Sequence, residues 1–451
     1  MNEMEMQESI RIFAEALASG DTRLLKSFYE HREPIDIAEL LEQMSEDQVK
    51  EFCVKSEDEK IAEILEQSQE KLQLEIAAFV DDYHLMYIFN YMQKDDIVDF
   101  LGELGIPRRK KLINLMREGD KKVIQELLGY SEDSAGGIMT TEYIALWGDM
   151  TAGDAMNKIR EIGPKTEVIE SIFIVNDVQK LVGIADLRDI LTASVNTKMN
   201  DIMNPDFIYA EPEMDQEEVS LLVSKHDLKV IPVVNKKKSL IGIITIDDII
   251  DVIKEENTED MYGLAGVSKE ESLDSTLADS IRMRLPWLVV NLFTAFIASF
   301  TVKMFESTIA QVVALSATMS IVSGMGGNAG TQTLSIMIRS LAIGDVEGRN
   351  KRKLLTKELL LGLIDGAATG ILTGFVVYAV YDNFYLGVII FLAMIANLVI
   401  SGFFGFLIPL LLKKCHADPA LASSIFLTTA TDVLGFFVFL GLANIMLPFL
   451  L

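Results

Sequence analysis

The sequence predicts a multidomain membrane protein with an α-helical superhelical N domain, a tandem α/β pair, a connecting helix and a five-helix transmembrane domain. Three observations predict it: a short helical phrase recurs, a βαββα unit occurs twice, and the remaining part is apolar. Charge divides in the same way, because residues 1–280 carry 29 basic and 59 acidic side chains, whereas residues 281–451 carry 11 and 8. The expected boundaries are 1–130, 131–255, 256–282 and 283–451.

The first part repeats an amphipathic pattern. The phrases "IAELLEQM" (37–44), "IAEILEQS" (61–68) and "IVDFLGEL" (97–104) place apolar residues at i, i+3 and i+4, with acids between them. Short helices of this kind bury their apolar stripes only against one another, so the pattern predicts a small helical superhelix.

The second part is an internal duplication. Each copy has a short first strand, an amphipathic helix, two β-rich strands and a final helix that begins at an acid, and the strand pairs end in "GIADLRD" (183–189) and "GIITIDD" (242–248). These residues resemble a tandem pair of CBS domains. The resemblance implies an adenine nucleotide such as ATP as a ligand of the second copy, through Thr245 and Asp248. In the first copy, Asp186 stands where the motif has Ser or Thr.

A charged connector follows over 251–284, and its spacing favours helix over much of its length. It joins the duplicated unit to the apolar part, so any signal between them must pass through it.

Five segments after the connector have the length and composition of membrane spans, since about 20 apolar residues cross a bilayer. They are 285–302, 310–338, 357–381, 384–412 and 418–450. Basic residues concentrate in the second and fourth connections, "RNKRK" (349–353) and "KK" (413–414). The positive-inside tendency therefore predicts a multi-pass protein of the cell membrane with cytosolic N-terminal domains and an extracellular C-terminus.

Charge and cysteine content exclude several classes of protein. An acidic surface of this size repels phosphates, so no nucleic-acid partner is expected. The first residues carry acids and no apolar run, so we expect no signal peptide. Cys53 and Cys415 form no CxxC pattern, which suits a reducing compartment. No nucleophile–base pair, P-loop or metal triad is recognisable, so we expect no enzyme.

From Pro419 onward, the fifth span carries a single ionisable residue, Asp432, near its middle. A carboxylate at that depth is costly in lipid and must face protein or water. Thr428 and Ser424 lie one and two turns earlier on the same face, which gives a stripe of oxygen atoms. The stripe favours an ion path; a polar packing seam is the alternative. Asp365 of the third span is a second candidate buried acid, and Glu358 is expected at the membrane interface.

The second span contains "GMGGNAGTQ" (324–332), in which Gly324, Asn328 and Gln332 recur at i+4. Small residues alone would serve close helix packing, so the two amides favour a polar path, either along the helix face or at a local break. A path lined by amides, hydroxyls and one acid suits hard cations, because Mg²⁺ and Ca²⁺ prefer oxygen ligands and Mg²⁺ keeps much of its water shell.

Those two segments and the order of the domains resemble the MgtE family of magnesium channels over essentially the whole chain. The resemblance implies a homodimer in membrane lipid, with a pore on its two-fold axis lined by spans two and five, in which Asp432 of each subunit holds hydrated Mg²⁺. Ser320 departs from the pattern, since the family often has a proline ahead of this glycine-rich segment.

The resemblance also implies that intracellular Mg²⁺ closes the pore by binding at acidic interfaces of the cytosolic domains. The matching acids are Asp95, Asp99, Asp215, Glu217, Asp227, Asp248, Asp251, Glu255, Glu256 and Glu259. Two alternatives remain open: a channel or carrier for another divalent cation, and a CBS membrane sensor that transports nothing. A membrane domain that serves only as an anchor does not need the polar side chains of Asn328, Gln332 and Asp432, so these residues favour transport.

Overall fold

The structure is a computed structural model. It describes residues 3–20, 22–163, 166, 168–269, 271, 273, 275–344, 346, 350–415 and 417–450. Arg349 of the basic second connection therefore lies outside the described residues. The chain divides into two compact units, Met1–Ile250 and Asp251–Leu451.

The first unit begins with short helices whose apolar stripes face one another, as the repeated phrase predicts. In two of these repeats Leu40, Leu41, Ile64 and Leu65 are at most 1 % exposed. Pro34 stands in the first turn of α3, where its missing N–H costs nothing. The helices are α1 (Glu3–Ser19), α2 (Thr22–Glu30), α3 (Pro34–Glu42), α4 (Glu46–Lys55), α5 (Asp58–Glu66), α6 (Glu70–Phe79), α7 (Asp82–Ile88), α8 (Lys94–Glu103), α9 (Ile106–Leu115) and α10 (Glu118–Leu127).

The duplicated part of the first unit forms two small sheets. In the first, β1 pairs parallel with β2, and β2 pairs antiparallel with β3; in the second, β4 pairs antiparallel with β5. The first strand expected in the second copy is only an isolated parallel bridge between Ala210 and Val233. Pro205 and Pro212 flank that segment, and neither has an N–H to extend the ladder. The elements are β1 (Ala145–Trp147), α11 (Ala152–Ile162), β2 (Ser171–Val175), β3 (Leu181–Asp186), α12 (Leu187–Thr192), α13 (Met199–Ile202), α14 (Gln216–His226), β4 (Val230–Val234) and β5 (Leu240–Thr245).

The glycine that opens each copy of the strand motif allows a close crossing of chains. A Cβ on Gly183 would lie 2.5 Å from Met203 Sδ, and one on Gly242 would lie 2.6 Å from Met139 Sδ. The segment at Met139 begins the first copy yet packs on β5 of the second, so the two copies interlock.

The second unit contains the membrane helices. Four of its helices are long and apolar enough to cross a membrane: α16, α19, α20 and the Ser423–Ile445 part of α21. The second expected span forms one unbroken 29-residue helix, α18. It is not among those four helices, because its glycines and amides lower its mean hydropathy. The elements are α15 (Ile246–Ala265), which spans the division between the units, α16 (Leu277–Lys303), α17 (Glu306–Gln311), α18 (Ala314–Ala342), α19 (Lys351–Tyr381), α20 (Phe384–Lys414), α21 (Pro419–Ile445) and α22 (Leu447–Leu450).

Helix α20 lies at the centre of this unit. Of its most apolar stretch 56 % is buried, against 11 % for α16. Glycines at i+4 along α19 let the two helices touch, since a Cβ on Gly362 or Gly366 would meet the backbone of α20 within 2.7 Å. The outward apolar surface of α16 is typical of a helix that faces lipid or another subunit. The predicted fold class is therefore confirmed.

Candidate ion path and acidic clusters

Asp432 contacts α18 through a side chain that the sequence did not single out. Ser323 Oγ donates a hydrogen bond of 2.5 Å to Asp432 Oδ1. Ser323 directly precedes Gly324, so the only acid of α21 lies beside the glycine-rich segment of α18. A hydroxyl next to a carboxylate adds one more oxygen to the predicted path.

The stripe of Gly324, Asn328 and Gln332 lies on an exposed face of α18. A Cβ placed on Gly324 would meet no atom within 4 Å. The glycines of the opposite face are packed instead, since a Cβ on Gly330 would lie 2.8 Å from Leu427. The segment therefore has two faces: one lets neighbouring helices approach, and the other leaves backbone and amides open. No local break occurs in this helix.

The hydroxyl stripe of α21 is partly satisfied by its own helix. Thr428 Oγ1 donates to the carbonyl of Ser424 at 2.8 Å, and Thr428 is exposed while Ser424 is half-buried. The Thr428 oxygen keeps its lone pairs and can still accept from a hydrated ion. Thr428 and Asp432 are one turn apart, as the sequence predicts.

Two further acids of the membrane helices, Asp365 and Glu358, differ from expectation in how much of each side chain is exposed. Asp365 is exposed on α19 rather than buried. Glu358, expected at the interface, is only 13 % exposed, and Thr333 Oγ1 donates to its Oε2 at 3.1 Å. Sequence position indicated the depth of these residues, whereas the packing of α19 on α20 and α18 decided which side chain is covered.

In the first unit, acids from α8 and from the start of α15 form a cluster whose members are half-buried, except Asp99, which is exposed. Asp95 and Asp99, both predicted, lie near Asp248, the acid of the strand motif. The structure adds Asp96 and Glu66, which the sequence analysis missed. The signal was present in "DDIVD" (95–99), which puts three acids within about one helical turn.

Burial and mutual repulsion raise the pKa values of this cluster. Burial, then the charges of Asp95 and Glu66, raise the pKa of Asp96 to about 9. Desolvation by neighbouring groups, then the charge of Asp95, raise the pKa of Asp99 to about 7, although part of this residue is exposed to solvent. Burial raises the pKa of Asp248 to about 6 although Thr245 donates to it. The cluster therefore holds protons near neutral pH that isolated carboxyl groups would release.

The cluster is not a ready-made metal site. Within the described residues, no group of three or more His, Cys, Asp or Glu side chains is arranged to hold a metal ion. Asp95 Oδ1 is buried without a hydrogen-bond partner. Such a cluster gains stability from any cation that neutralises it, by protonation or by divalent ion binding.

We expect the local stability of α8 in the full-length protein to fall as pH rises from 5.5 to 8.5 without Mg²⁺. The folded cluster binds protons that the unfolded chain, with an Asp pKa near 3.9, has already lost, so folding is penalised as pH rises through the folded pKa values. Amide hydrogen exchange of α8, corrected for intrinsic rates, measures this. Asp96→Asn should flatten the dependence, and protection that rises with pH would contradict the expectation.

Three predicted acids of the second CBS copy lie at the two ends of one helix. Asp215 caps the N-terminus of α14 by accepting from Glu217 N at 2.8 Å. Asp227 ends the same helix in a left-handed conformation, with φ of 52°. A helix of 11 residues separates them by about 16 Å, so they do not share one site within this chain.

The predicted acids of the connector lie on α15. Asp251 pairs with Lys254 at 2.6 Å, and Glu259 pairs with Lys269 at 3.2 Å. Glu255 is exposed and Glu256 is half-buried.

An unpredicted acid of α15 lies against the membrane helices. Burial, then the charges of Asp418 and Glu259, raise the pKa of Asp260 to about 6. Asp418 caps α21, which carries Asp432. No sequence pattern pointed to this contact, because Asp260 and Asp418 belong to segments far apart in the chain.

The nucleotide motif also has an internal role. Thr245 Oγ1 donates to Asp248 Oδ2 at 2.6 Å, and Thr245 is 1 % exposed. In the first copy, Asp186 accepts from Arg188 N at 2.8 Å and caps α12. Asp186 thus caps the helix that follows its strand pair, whereas Asp248 lies in the first turn of the helix that follows the second strand pair.

Family models match three parts of the chain. The model of the MgtE intracellular N domain matches residues 32–133, and the CBS domain model matches residues 135–196 and 199–255. The MgtE model, described as a divalent cation transporter, matches residues 319–442. The last match contains both Ser323 and Asp432.

Three relatives are similar over most of the chain. The magnesium transporter MgtE of Bacillus subtilis is 30 % identical over 95 % of each chain. That of Thermus thermophilus is 31 % identical over 98 % of this chain and 99 % of its own. That of Enterococcus faecalis is 35 % identical over 72 % of each.

Two solved structures resemble the cytosolic part. The cytosolic domain of the Mg²⁺ channel MgtE in complex with ATP is 32 % identical, with a TM-score of 0.52, and covers 54 % of this chain and 99 % of its own. The soluble part of a magnesium transporter is 25 % identical, with a TM-score of 0.53, over 56 % and 99 %. With matches to relatives named as transporters over nearly its whole length and with several membrane-length helices, this chain belongs to the MgtE family of magnesium transporters.

Proposed function

We propose that this protein is a Mg²⁺-selective channel or transporter that imports Mg²⁺ across the cytoplasmic membrane. The observation that carries the proposal is the Ser323–Asp432 contact beside the open face of α18. Mg²⁺ loses its inner water reluctantly, so it is held through one or two carboxylates and through hydrogen bonds to its water shell. Asp432 supplies the charge, while Asn328, Gln332, Thr428 and Ser424 supply oxygens for that shell.

We propose that the path is completed by a second copy of the chain. The exposed face of α18 carries Gly324, Asn328 and Gln332, and amides and bare backbone are poorly suited to lipid. A two-fold axis along this face would cover it with its own copy and bring two Asp432 carboxylates to one path. The surrounding helices remain in contact with membrane lipid.

The proposed orientation places both N-terminal domains in the cytosol and the C-terminus outside. The basic residues Lys351, Arg352 and Lys353 precede the apolar part of α19, and Lys413 and Lys414 end α20. These two ends lie on one side of the membrane when α19 and α20 form an antiparallel pair, which supports the assignment of that side to the cytosol.

The proposed gating uses cytosolic Mg²⁺ as a regulator. Clustered acids such as Asp96, Asp99 and Asp248 repel one another, so a compact arrangement of the cytosolic domains costs free energy without neutralising ions. Divalent ions at these acids would favour the compact state and close the path. The proposed regulatory acids are Asp95, Asp99, Asp215, Glu217, Asp227, Asp248, Asp251, Glu255, Glu256 and Glu259.

The deciding experiment is Mg²⁺ uptake into liposomes that contain only this protein. Uptake that exceeds protein-free liposomes supports transport, and its absence in a folded, inserted protein would favour a sensor that transports nothing. Parallel uptake of Mn²⁺, Co²⁺ and Ca²⁺ tests the alternative of another divalent cation, since oxygen sites discriminate by hydration and cavity size.

We propose that the second CBS copy binds an adenine nucleotide, as the structure of a relative's cytosolic domain contains ATP. Thr245→Val keeps the shape of the side chain and removes its hydroxyl, so ATP affinity should fall about tenfold if that hydroxyl serves the ligand. Calorimetric titration of ATP into the full-length protein measures the change. Asp186→Asn in the first copy is the matched control, and equal losses in both variants would count against Thr245.

A further inference from the structure

A fully buried amide of α20 lies between the two helices that carry the proposed ion path. Asn397 is 0 % exposed, and its Nδ2 donates to the carbonyl of Val322 on α18 at 2.7 Å. Val322 directly precedes Ser323, whose hydroxyl bonds to Asp432. The amide thus holds the backbone of α18 at the level of the proposed ion site.

The same side chain also touches α21. A Cβ on Gly435 would lie 2.6 Å from Asn397 Oδ1, so only a glycine fits there. A Cβ on Gly326 of α18 would overlap with Asn397 Nδ2 in the same way. Gly435 lies one turn beyond Asp432. The amide of Asn397 therefore occupies a slot that exists because Gly326 of α18 and Gly435 of α21 have no side chain.

Ser401, one turn further along α20, repeats the contact with α18. It is 0 % exposed, and its Oγ lies 2.8 Å from the carbonyl of Gly326 and 2.8 Å from the carbonyl of Asn397 in its own helix, so the two carbonyls share one donor. Two successive turns of α20 therefore hold two successive turns of α18 by their carbonyl groups. The bonds act on the side of α18 that faces away from Asn328.

Stability alone does not favour an amide at this position. Asn397 Oδ1 has no hydrogen-bond partner within the described residues, and an unsatisfied buried acceptor is costly. A leucine, which has the same number of side-chain heavy atoms and the same branching at Cγ, would place no unsatisfied polar atom in the slot. Polar side chains inside membrane bundles mark positions where geometry matters.

We propose that Asn397 is a positioning residue that fixes the spacing of α18 and α21 at Ser323 and Asp432, and thereby the ion selectivity of the path. The inference rests on the proposed function for its effect on ions. The spacing itself is independent of transport.

The first test measures the spacing. In a full-length background with Cys53 and Cys415 replaced by serine, Ser323→Cys and Asp432→Cys are joined by a short bifunctional thiol reagent. Asn397→Leu should slow cross-linking about fivefold, because interhelical hydrogen bonds in membranes are worth about 1 kcal/mol. Met394→Leu, at a buried position one turn earlier on α20, is the matched control and should stay within about twofold. Equal rates in the two variants would overturn the proposal.

The second test measures selectivity in liposomes that contain the protein with its native path. Asn397→Leu should change the ratio of Mg²⁺ to Co²⁺ uptake about fivefold, whereas a loss of folded protein would lower both rates together. Gly435→Ala should also change the ratio of Mg²⁺ to Co²⁺ uptake, because its methyl group would overlap with the amide of Asn397. The double variant Gly435→Ala/Asn397→Ala should restore that ratio in part, because the shorter side chain at 397 leaves room for the methyl group. Additive losses would count against the contact.

The outcomes are separable. A parent protein that moves no Mg²⁺ refutes the proposed function, while the cross-linking rates still decide the positioning role. If Asn397→Leu does not fold, Ser401→Ala removes the neighbouring bond at nearly constant volume, and the same cross-linking experiment applies to it. A parent-like rate in that variant would then overturn the proposal.

Discussion

Asp432→Ala is expected to lower Mg²⁺ flux about 1,000-fold in reconstituted protein. The variant removes the only carboxylate of α21 on the proposed path, and two copies lose it together in the proposed dimer. A charge pair near 4 Å is worth about 4 kcal/mol at an effective dielectric constant of 20, and 1.4 kcal/mol corresponds to a factor of ten, so a loss of this size is expected. Liposome uptake of Mg²⁺ at fixed protein content measures it.

Two variants control this result. Asp432→Asn keeps the shape and the oxygen that accepts from Ser323, so it isolates the charge. Asp365→Asn makes the same charge change on α19, where the carboxylate is exposed and lies outside the Ser323–Asp432 contact. A parent-like flux in Asp432→Ala, with a folded and inserted protein, would refute the path. A loss in Asp365→Asn equal to that in Asp432→Asn would point to membrane charge in general.

Neutralising four regulatory acids together should leave the protein conducting at internal Mg²⁺ concentrations that close the parent. Removing the charges of Asp248, Asp251, Glu255 and Glu259 has two opposing effects: repulsion that opposes the compact state disappears, and so do the ligands through which Mg²⁺ favours it. We expect ligand loss to dominate, because an ion shifts an equilibrium only through sites that differ between the two states. The half-closing Mg²⁺ concentration should rise at least about tenfold.

Patch recordings with Mg²⁺ varied on the cytosolic face measure this shift. The matched control changes four exposed acids of the helical domain to glutamine: Glu15, Glu30, Glu39 and Glu42. It removes the same total charge from the acidic residues 1–280 but outside the connector. Unchanged closure in the first variant, or an equal shift in the control, would mean that the connector acids act only as a solvated surface.

The sequence predicted the fold class and the family correctly. Periodic phrases such as "IAELLEQM" fix a buried stripe on each short helix, and length and composition fix the membrane helices. It also placed Gly324, Asn328 and Gln332 on one face of α18. Their roles as ion ligands stay predictions. The first strand expected in the second CBS copy is reduced to a single bridge, which the sequence analysis did not foresee. The two flanking prolines lack the N–H groups that a ladder needs, although the residues between them keep the apolar pattern of a strand.

What the sequence determined by itself was therefore local: which residues share a helix face, which segments are apolar, and which motifs match a family. Only the tertiary structure decided which faces meet. Ser323 and Asp432 are 109 positions apart, and the slot for Asn397 is made by glycines of two other helices. The pKa of Asp96 rises because α8 is buried together with acids of other elements. Periodicity gives the direction of a side chain along its own helix, whereas burial, hydrogen bonding and electrostatic coupling depend on neighbours brought together by long-range packing.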